Sequence, residues 1–167
     1  MNEKPAIEPL NIRGDCIASE LSEADRNRLT RVEGELDASN TTGLTLPALK
    51  SCVTLDAEDS TGLNIPLLTS VSGNLFAGNT TDLSLPALEK CGNLDAGYTT
   101  ALTLPALESV EGKLNALNAT GLIIPAAIAS EHSIPAECLA AVPEQSHVEK
   151  ALSELQNANE SLNQGIK

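Results

Sequence analysis

The chain lacks tryptophan and has one phenylalanine, Phe76, and one tyrosine, Tyr98, among its 167 residues. A base-stacking platform needs several aromatic side chains, so none is available for single-stranded nucleic acid. The same shortage argues against a sugar-stacking site. Positive charge is also scarce: ten Lys plus Arg stand against 23 Asp plus Glu, for a formal charge of −13. Binding nucleic acid through its phosphates requires a basic face, which this composition does not supply. No run of about 18 apolar residues is present, so no membrane span is expected. Met1-Asn2-Glu3-Lys4-Pro5 has neither a positive n-region nor an apolar h-region, and a cytoplasmic protein is the expectation. Cys16, Cys52, Cys91 and Cys138 show no C-x-x-C spacing, so no zinc site is indicated. His132 and His147 stand apart from any ligand cluster and read as solvated or capping residues. With no G-x-S-x-G, P-loop or G-x-G-x-x-G motif, the chain reads as non-enzymatic, with no cofactor and no metal.

What is present is a repeat. Pro47, Pro66, Pro86, Pro105 and Pro125 are spaced 19, 20, 19 and 20 residues apart, and alignment on them exposes five similar units. Leu36, Leu55, Leu75, Leu94 and Leu114 form one column, with Ala38, Ala57, Ala77, Ala96 and Ala116 two residues later. Leu44, Leu63, Leu83, Leu102 and Leu122 form another, followed at the same interval by Leu46, Ile65, Leu85, Leu104 and Ile124. This period-two spacing predicts two short strands per unit facing one interior, with Pro ending the second. A Leu two residues after Pro and a Val or Cys five after it close the wall. One unit cannot bury this stripe, whereas stacked units form a continuous aliphatic core.

The alternation of 19 and 20 is ordered. Val32, Val71 and Val110 stand four residues before Leu36, Leu75 and Leu114, with Gly34, Gly73 and Gly112 between them, whereas Cys52 and Cys91 stand three before Leu55 and Leu94. The longer corner predicts a bulge or a positive-φ turn at those glycines. Thr42, Thr61, Thr81, Thr100 and Thr120 recur in the turn, where a hydroxyl can bond nearby backbone. An exposed threonine array of the ice-binding kind is a minor alternative, because the flanking residues vary. Cys52 and Cys91 share the Val column two rungs apart. At roughly 4.8 Å per rung their Cα atoms lie about 10 Å apart, too far for a disulfide. Free thiols in a reducing compartment are expected.

Leu104-Pro105-Ala106-Leu107-Glu108-Ser109-Val110-Glu111-Gly112-Lys113-Leu114-Asn115-Ala116 resembles the L-P-x-L-x-x-V-x-G-x-L-x-I pattern of receptor L-domains. The resemblance covers about residues 29–130 and implies a leucine-rich-repeat-like, right-handed β-solenoid. The expected architecture is therefore mainly β, with about five 19–20-residue rungs capped by helical segments at both ends. Three regions follow: an N-terminal tail and helical cap (1–32), the solenoid (33–130) and a C-terminal helical cap and tail (131–167). Residues 15–31 suggest one or two helices, with Ser22-x-x-Asp25 as a capping box. A short helix from Ser133-Ile134-Pro135 to near Val142 is expected. Val148, Ala151, Leu152, Leu155 and Leu162 then form the stripe of an amphipathic helix over 144–163. That stripe either folds back on the last rung, docks on a partner or drives homo-oligomers.

The outward column beside the Ala residues reads Asp37, Asp56, Phe76, Asp95 and Asn115, with Glu58 and Asp59 nearby. A second outward column reads Thr45, Asn64, Ser84 and Thr103. Residues 33–130 hold 11 acids and three bases. A rigid acidic surface of this kind suits a protein partner with a basic face, and Phe76 is the natural anchor. The leading expectation is a protein-interaction scaffold. The alternatives are a phage-type inhibitor that mimics nucleic acid to block a basic host protein, and a structural homo-oligomer joined through 144–163.

Overall fold

The computed structural model describes residues 8–140. They form a β-solenoid of about five turns, built on one parallel sheet with few helices. The strands are β1 (Leu10–Ile12), β2 (Cys16–Ile17), β3 (Leu29–Asp37), β4 (Ser51–Asp56), β5 (Ser70–Phe76), β6 (Lys90–Asp95), β7 (Ser109–Val110) and β8 (Leu114–Asn115). They stack in the order β1-β3-β4-β5-β6-β7, with β2 beside β3 and β8 beside β6. Helix α1 spans Glu23–Arg28 and α2 spans Ala126–Glu131.

The register follows the sequence columns. Leu36 pairs with Leu55, Leu55 with Leu75, Leu75 with Leu94, and Leu94 with Leu114. The column of Val32, Cys52, Val71, Cys91 and Val110 is likewise in register. Every residue of both columns is buried except Leu114, and the Pro-following Leu49, Leu68, Leu88 and Leu107 join them in one aliphatic core. Identical slots stacked at roughly 4.8 Å suit side chains of Leu and Val size, and a large ring would displace its neighbours in two rungs.

The two strands expected per unit are realised differently. From β3 to β6 the Val or Cys column and the following Leu column lie on a single strand, exemplified by Cys52 and Leu55 within β4, whereas in the last rung Val110 and Leu114 fall on β7 and β8. The second segment pairs only through isolated bridges, such as Thr42 with Thr61 and Thr45 with Asn64. The reason is that the Val-to-Leu corner does not end the ladder. It shifts the register by a bulge, for instance between Val71 and Asn74. Glycine is needed there for close approach rather than for left-handed backbone: a Cβ on Gly73 would stand 3.0 Å from the Val53 carbonyl oxygen.

Left-handed backbone occurs instead at two turn positions of each unit. One column is Asn40, Asp59, Asn79, Tyr98 and Asn118; the other is Gly43, Gly62, Asp82, Ala101 and Gly121. Hydroxyl capping also falls one residue earlier than expected. Thr41, Thr80 and Thr99 donate to the carbonyls of Ala38, Ala77 and Ala96 at 2.7, 2.9 and 3.0 Å. The Thr42 to Thr120 column instead forms a ladder of parallel bridges.

The ladder extends N-terminally into the segment expected to be a helical cap. Ile12 pairs with Val32 and Cys16 with Leu36, and Ala18 is buried like the other column alanines. Ile12-Arg13-Gly14-Asp15-Cys16-Ile17-Ala18 is thus half of a further rung. Helix α1 replaces its second half and starts as expected at Ser22, whose Oγ accepts from the Asp25 N–H at 3.1 Å. At the other end α2 begins directly after Pro125, and a 3-10 turn covers Ala136–Cys138. Leu122 donates to the Cys138 carbonyl and accepts from the Ala140 N–H, both at 2.9 Å. The short helix expected from Ser133 is therefore a 3-10 turn followed by a bridge, because Leu139 pairs with Leu122. The stripe over 144–163 lies outside the described residues.

Candidate protein-binding face

Parallel pairing places Asp37, Asp56, Phe76, Asp95 and Asn115 side by side on the outer surface of the sheet. Asp37, Asp56, Phe76 and Asp95 are half-buried and Asn115 is exposed. Side chains in mid-ladder are shielded by the rungs above and below, so Phe76 is less exposed than an outward anchor was expected to be. Glu58 and Asp59 stand exposed in the turn that follows Asp56.

Each polar member of the column also closes the turn after its strand. Asp37 Oδ1 accepts from the Ser39 N–H at 2.9 Å, Asp56 Oδ1 from Glu58 at 3.0 Å and Asp95 Oδ1 from Gly97 at 3.0 Å. Asn115 Oδ1 accepts from Leu117 at 3.1 Å, and its amide donates to Asp95 Oδ1 at 2.9 Å. These Asx turns explain why Asp or Asn stands there. They use one oxygen of each carboxylate and hold the side chains rigidly. Phe76 breaks the series and cannot close its turn in this way.

Among the described residues no ion pair neutralises the charge on this face. The ion pairs among the described residues are Arg28–Asp25 and Arg31–Glu33, and neither includes a member of the column. Glu58 leans toward the next rung, where a Cβ on Gly78 would lie 3.3 Å from its Oε1. Burial of the Glu58 carboxyl, then the charges of Asp56, Asp95 and Asp59, push its pKa above the ordinary carboxylate value. Beside Phe76 a shallow cleft of about 460 Å³ is lined by Asn74, Asn93, Asp95, Lys113 and Asn115. Its amides are fixed: Asn93 donates to Asn74 Oδ1 and accepts from the Lys113 N–H, both at 2.8 Å. Asn74, Asn93 and Lys113 were not singled out from the sequence. The available signal was their shared place just before the Leu column.

The second outward column is a ladder from Thr45 through Asn64, Ser84 and Thr103 to Ile123. It shares no residue with the acidic column. All four cysteines are free and buried. Burial pushes the Cys52 thiol up to about 12 and the Cys91 thiol up to about 11, with the Glu111 charge adding to the latter. The Cys16 thiol is raised by burial and by Glu20. His132 caps α2 through its N–H, and His147 lies outside the described residues. Among the described residues no group of three or more His, Cys, Asp or Glu is placed to hold a metal ion, and no helix is long and apolar enough to cross a membrane. Comparisons with protein-family models, curated proteins and solved structures returned no match.

Proposed function

We propose that this chain is a non-enzymatic interaction module that presents a rigid acidic face to a protein partner with a basic surface. The observation that carries the reading is the outward column Asp37, Asp56, Phe76, Asp95 and Asn115, set in continuous register with Glu58 and Asp59 beside it and, among the described residues, no ion pair to any of them. Because Asx turns already fix the carboxylates of Asp37, Asp56 and Asp95, little side-chain entropy is lost there when a partner binds. Phe76 supplies the apolar contact at the middle of the face. Thiols raised by burial are poor nucleophiles, which favours binding over cysteine chemistry. The proposed coil is right-handed, the hand taken by nearly all parallel crossovers, and leucine-rich-repeat-like. Helix α1 caps its N-terminal end, and α2 with the following 3-10 turn covers part of its C-terminal end. Free cysteines suit a reducing cytoplasm.

The test is capture of partners on the immobilised full chain, compared with a variant carrying Asp56→Asn, Glu58→Gln, Asp59→Asn and Asp95→Asn. A partner retained by the native chain and lost by the variant supports the reading. Equal capture by both overturns it. Affinity that falls steeply with salt, for a partner that DNA displaces, identifies the nucleic-acid-mimicking form of this function.

A further inference from the structure

The C-terminal end of the solenoid carries an open groove. It is lined by Asn115–Thr120 on one side and by Pro135, Glu137 and Cys138 on the other, with a volume of about 630 Å³. Leu117 is 58% exposed at this groove, and Ala116, Ala119, Pro135 and Cys138 complete an apolar lining. The groove also borders a backbone edge that no described residue pairs. In the preceding rung the N–H groups of Ala96, Tyr98 and Ala101 donate to Asn115, Leu117 and Thr120. The corresponding N–H groups of Ala116, Asn118 and Gly121 donate to no carbonyl among the described residues. An open edge beside an exposed Leu is a surface that proteins ordinarily cover.

We infer that this groove is the docking site of the chain's own residues 144–163. Ala140, the last described residue, is bonded to Leu122 of the final rung, and Cys138 two residues earlier lines the groove itself. The chain therefore leaves the described region at the rim of the groove, with 27 residues to follow. Within them Val148, Ala151, Leu152, Leu155 and Leu162 recur at helical spacing on one stripe. Charge disfavours the acidic column as an alternative place. Residues 144–163 carry Glu144, Glu149, Glu154 and Glu160 against Lys150, so the acidic column repels them. The groove has Glu137 as its single acidic lining residue. Docking there covers the edge, buries Leu117 and keeps two solenoids from stacking end to end through the last rung. The inference does not depend on the acidic face: if it fails, the binding of a basic partner is untouched.

The test is amide hydrogen exchange on the full chain, read at Ala116, Asn118 and Gly121. In the native sequence these amides exchange at least tenfold slower than in the double variant Leu152→Asp/Leu155→Asp. The amides of Thr100 and Thr120, bonded to Thr80 and Thr99, serve as controls and stay protected in both. Rates at Ala116 and Asn118 equal to those of an open chain in the native protein overturn the inference without any variant. Slowing that grows with protein concentration assigns the groove to a second copy and also overturns it. Leu117→Asp, made on the groove side, reproduces the loss of protection with the segment's own sequence intact; unchanged protection in that variant counts against the site.

Discussion

Ala101 is held at φ 59° in a column where Gly43, Gly62 and Gly121 take the same left-handed conformation. For an L-residue with a Cβ this conformation costs about 1–2 kcal/mol. Replacing Ala101 by Gly removes that cost and adds an unfolded-state entropy loss of about 0.5–1 kcal/mol. The backbone bond from the Ala101 N–H to the Thr120 carbonyl, 2.9 Å, involves no side-chain atom and survives. The methyl group is only half-buried and makes a small contribution of its own. Ala101→Gly is therefore expected to stabilise the solenoid by about 0.5–1 kcal/mol. For a chain of this size that raises Tm by roughly 1–4 °C.

The mirror experiment is Gly62→Ala. A Cβ there meets only the Cα and N of Gly43, both at 3.9 Å, so space is available and the cost is purely conformational. A loss of about 1 kcal/mol is expected. Both variants are followed by thermal and urea denaturation with circular dichroism, and m is checked for constancy so that the change reports stability alone. A lower Tm for Ala101→Gly together with a neutral Gly62→Ala would refute the turn geometry, and with it the placement of the Thr ladder.

Other outcomes follow from the same turns and core. Ser60 is buried with an Oγ that has no described partner, whereas Thr41, Thr80 and Thr99 in its column bond an alanine carbonyl. Ser60→Thr is expected to direct a hydroxyl onto Ala57 and gain about 1 kcal/mol, read as a higher urea midpoint; a lower midpoint means the slot has no room for the methyl. Cys52 and Cys91, with thiols pushed up to about 12 and about 11, should resist alkylation at pH 8 in the native protein, and all four thiols should react after denaturation. Because the native pKa of Cys52 lies above its unfolded value, stability is intact below about pH 9 and falls as pH rises toward 12. Cys52→Val, which restores the residue of the neighbouring rungs, should flatten that fall in an alkaline denaturation series. Glu58→Gln should raise stability at pH 7 and have little effect at pH 3, where the native carboxyl is already protonated; an equal effect at both pH values would remove charge crowding as the cause.

The core columns were legible because each is filled by nearly one residue type at a 19- or 20-residue period, and the Leu36-to-Leu114 register matches that alignment directly. The half-rung at Ile12–Ala18 was missed because Cys16 and Ile17 stand where later rungs have Leu and Asp, and because α1 takes the place of its turn and proline. Its surviving signal was Gly14, two residues after Ile12 as Gly34 is after Val32. The threonine turn was misread for a related reason. The uniform column, Thr42 to Thr120, is exposed or half-buried and pairs through backbone, while the column that caps is mixed, with Thr41, Ser60, Thr80 and Thr99. Uniformity of residue type does not reveal which way a side chain points once the preceding residue is left-handed. Asn40 and its equivalents turn the chain at that point.

The acidic face shows how one column can serve folding and recognition together. An Asx turn needs an Asp or Asn oxygen at the strand end, and stacking the rungs then stacks those side chains. Asn satisfies the turn without charge, as Asn115 does through its bond to the Leu117 N–H. Turn closure alone therefore does not require the charge at Asp37, Asp56 and Asp95. Nor does it require Glu58, whose pKa is raised by burial and then by the charges of Asp56, Asp95 and Asp59. Like charges on neighbouring rungs oppose folding by a few tenths of a kcal/mol or more per pair. Amide replacement at Asp56 and Asp95 thus separates the two roles. The turns should persist and stability should hold or rise, while affinity for a basic partner should drop. Loss of stability in those variants would instead assign the charge itself to the fold.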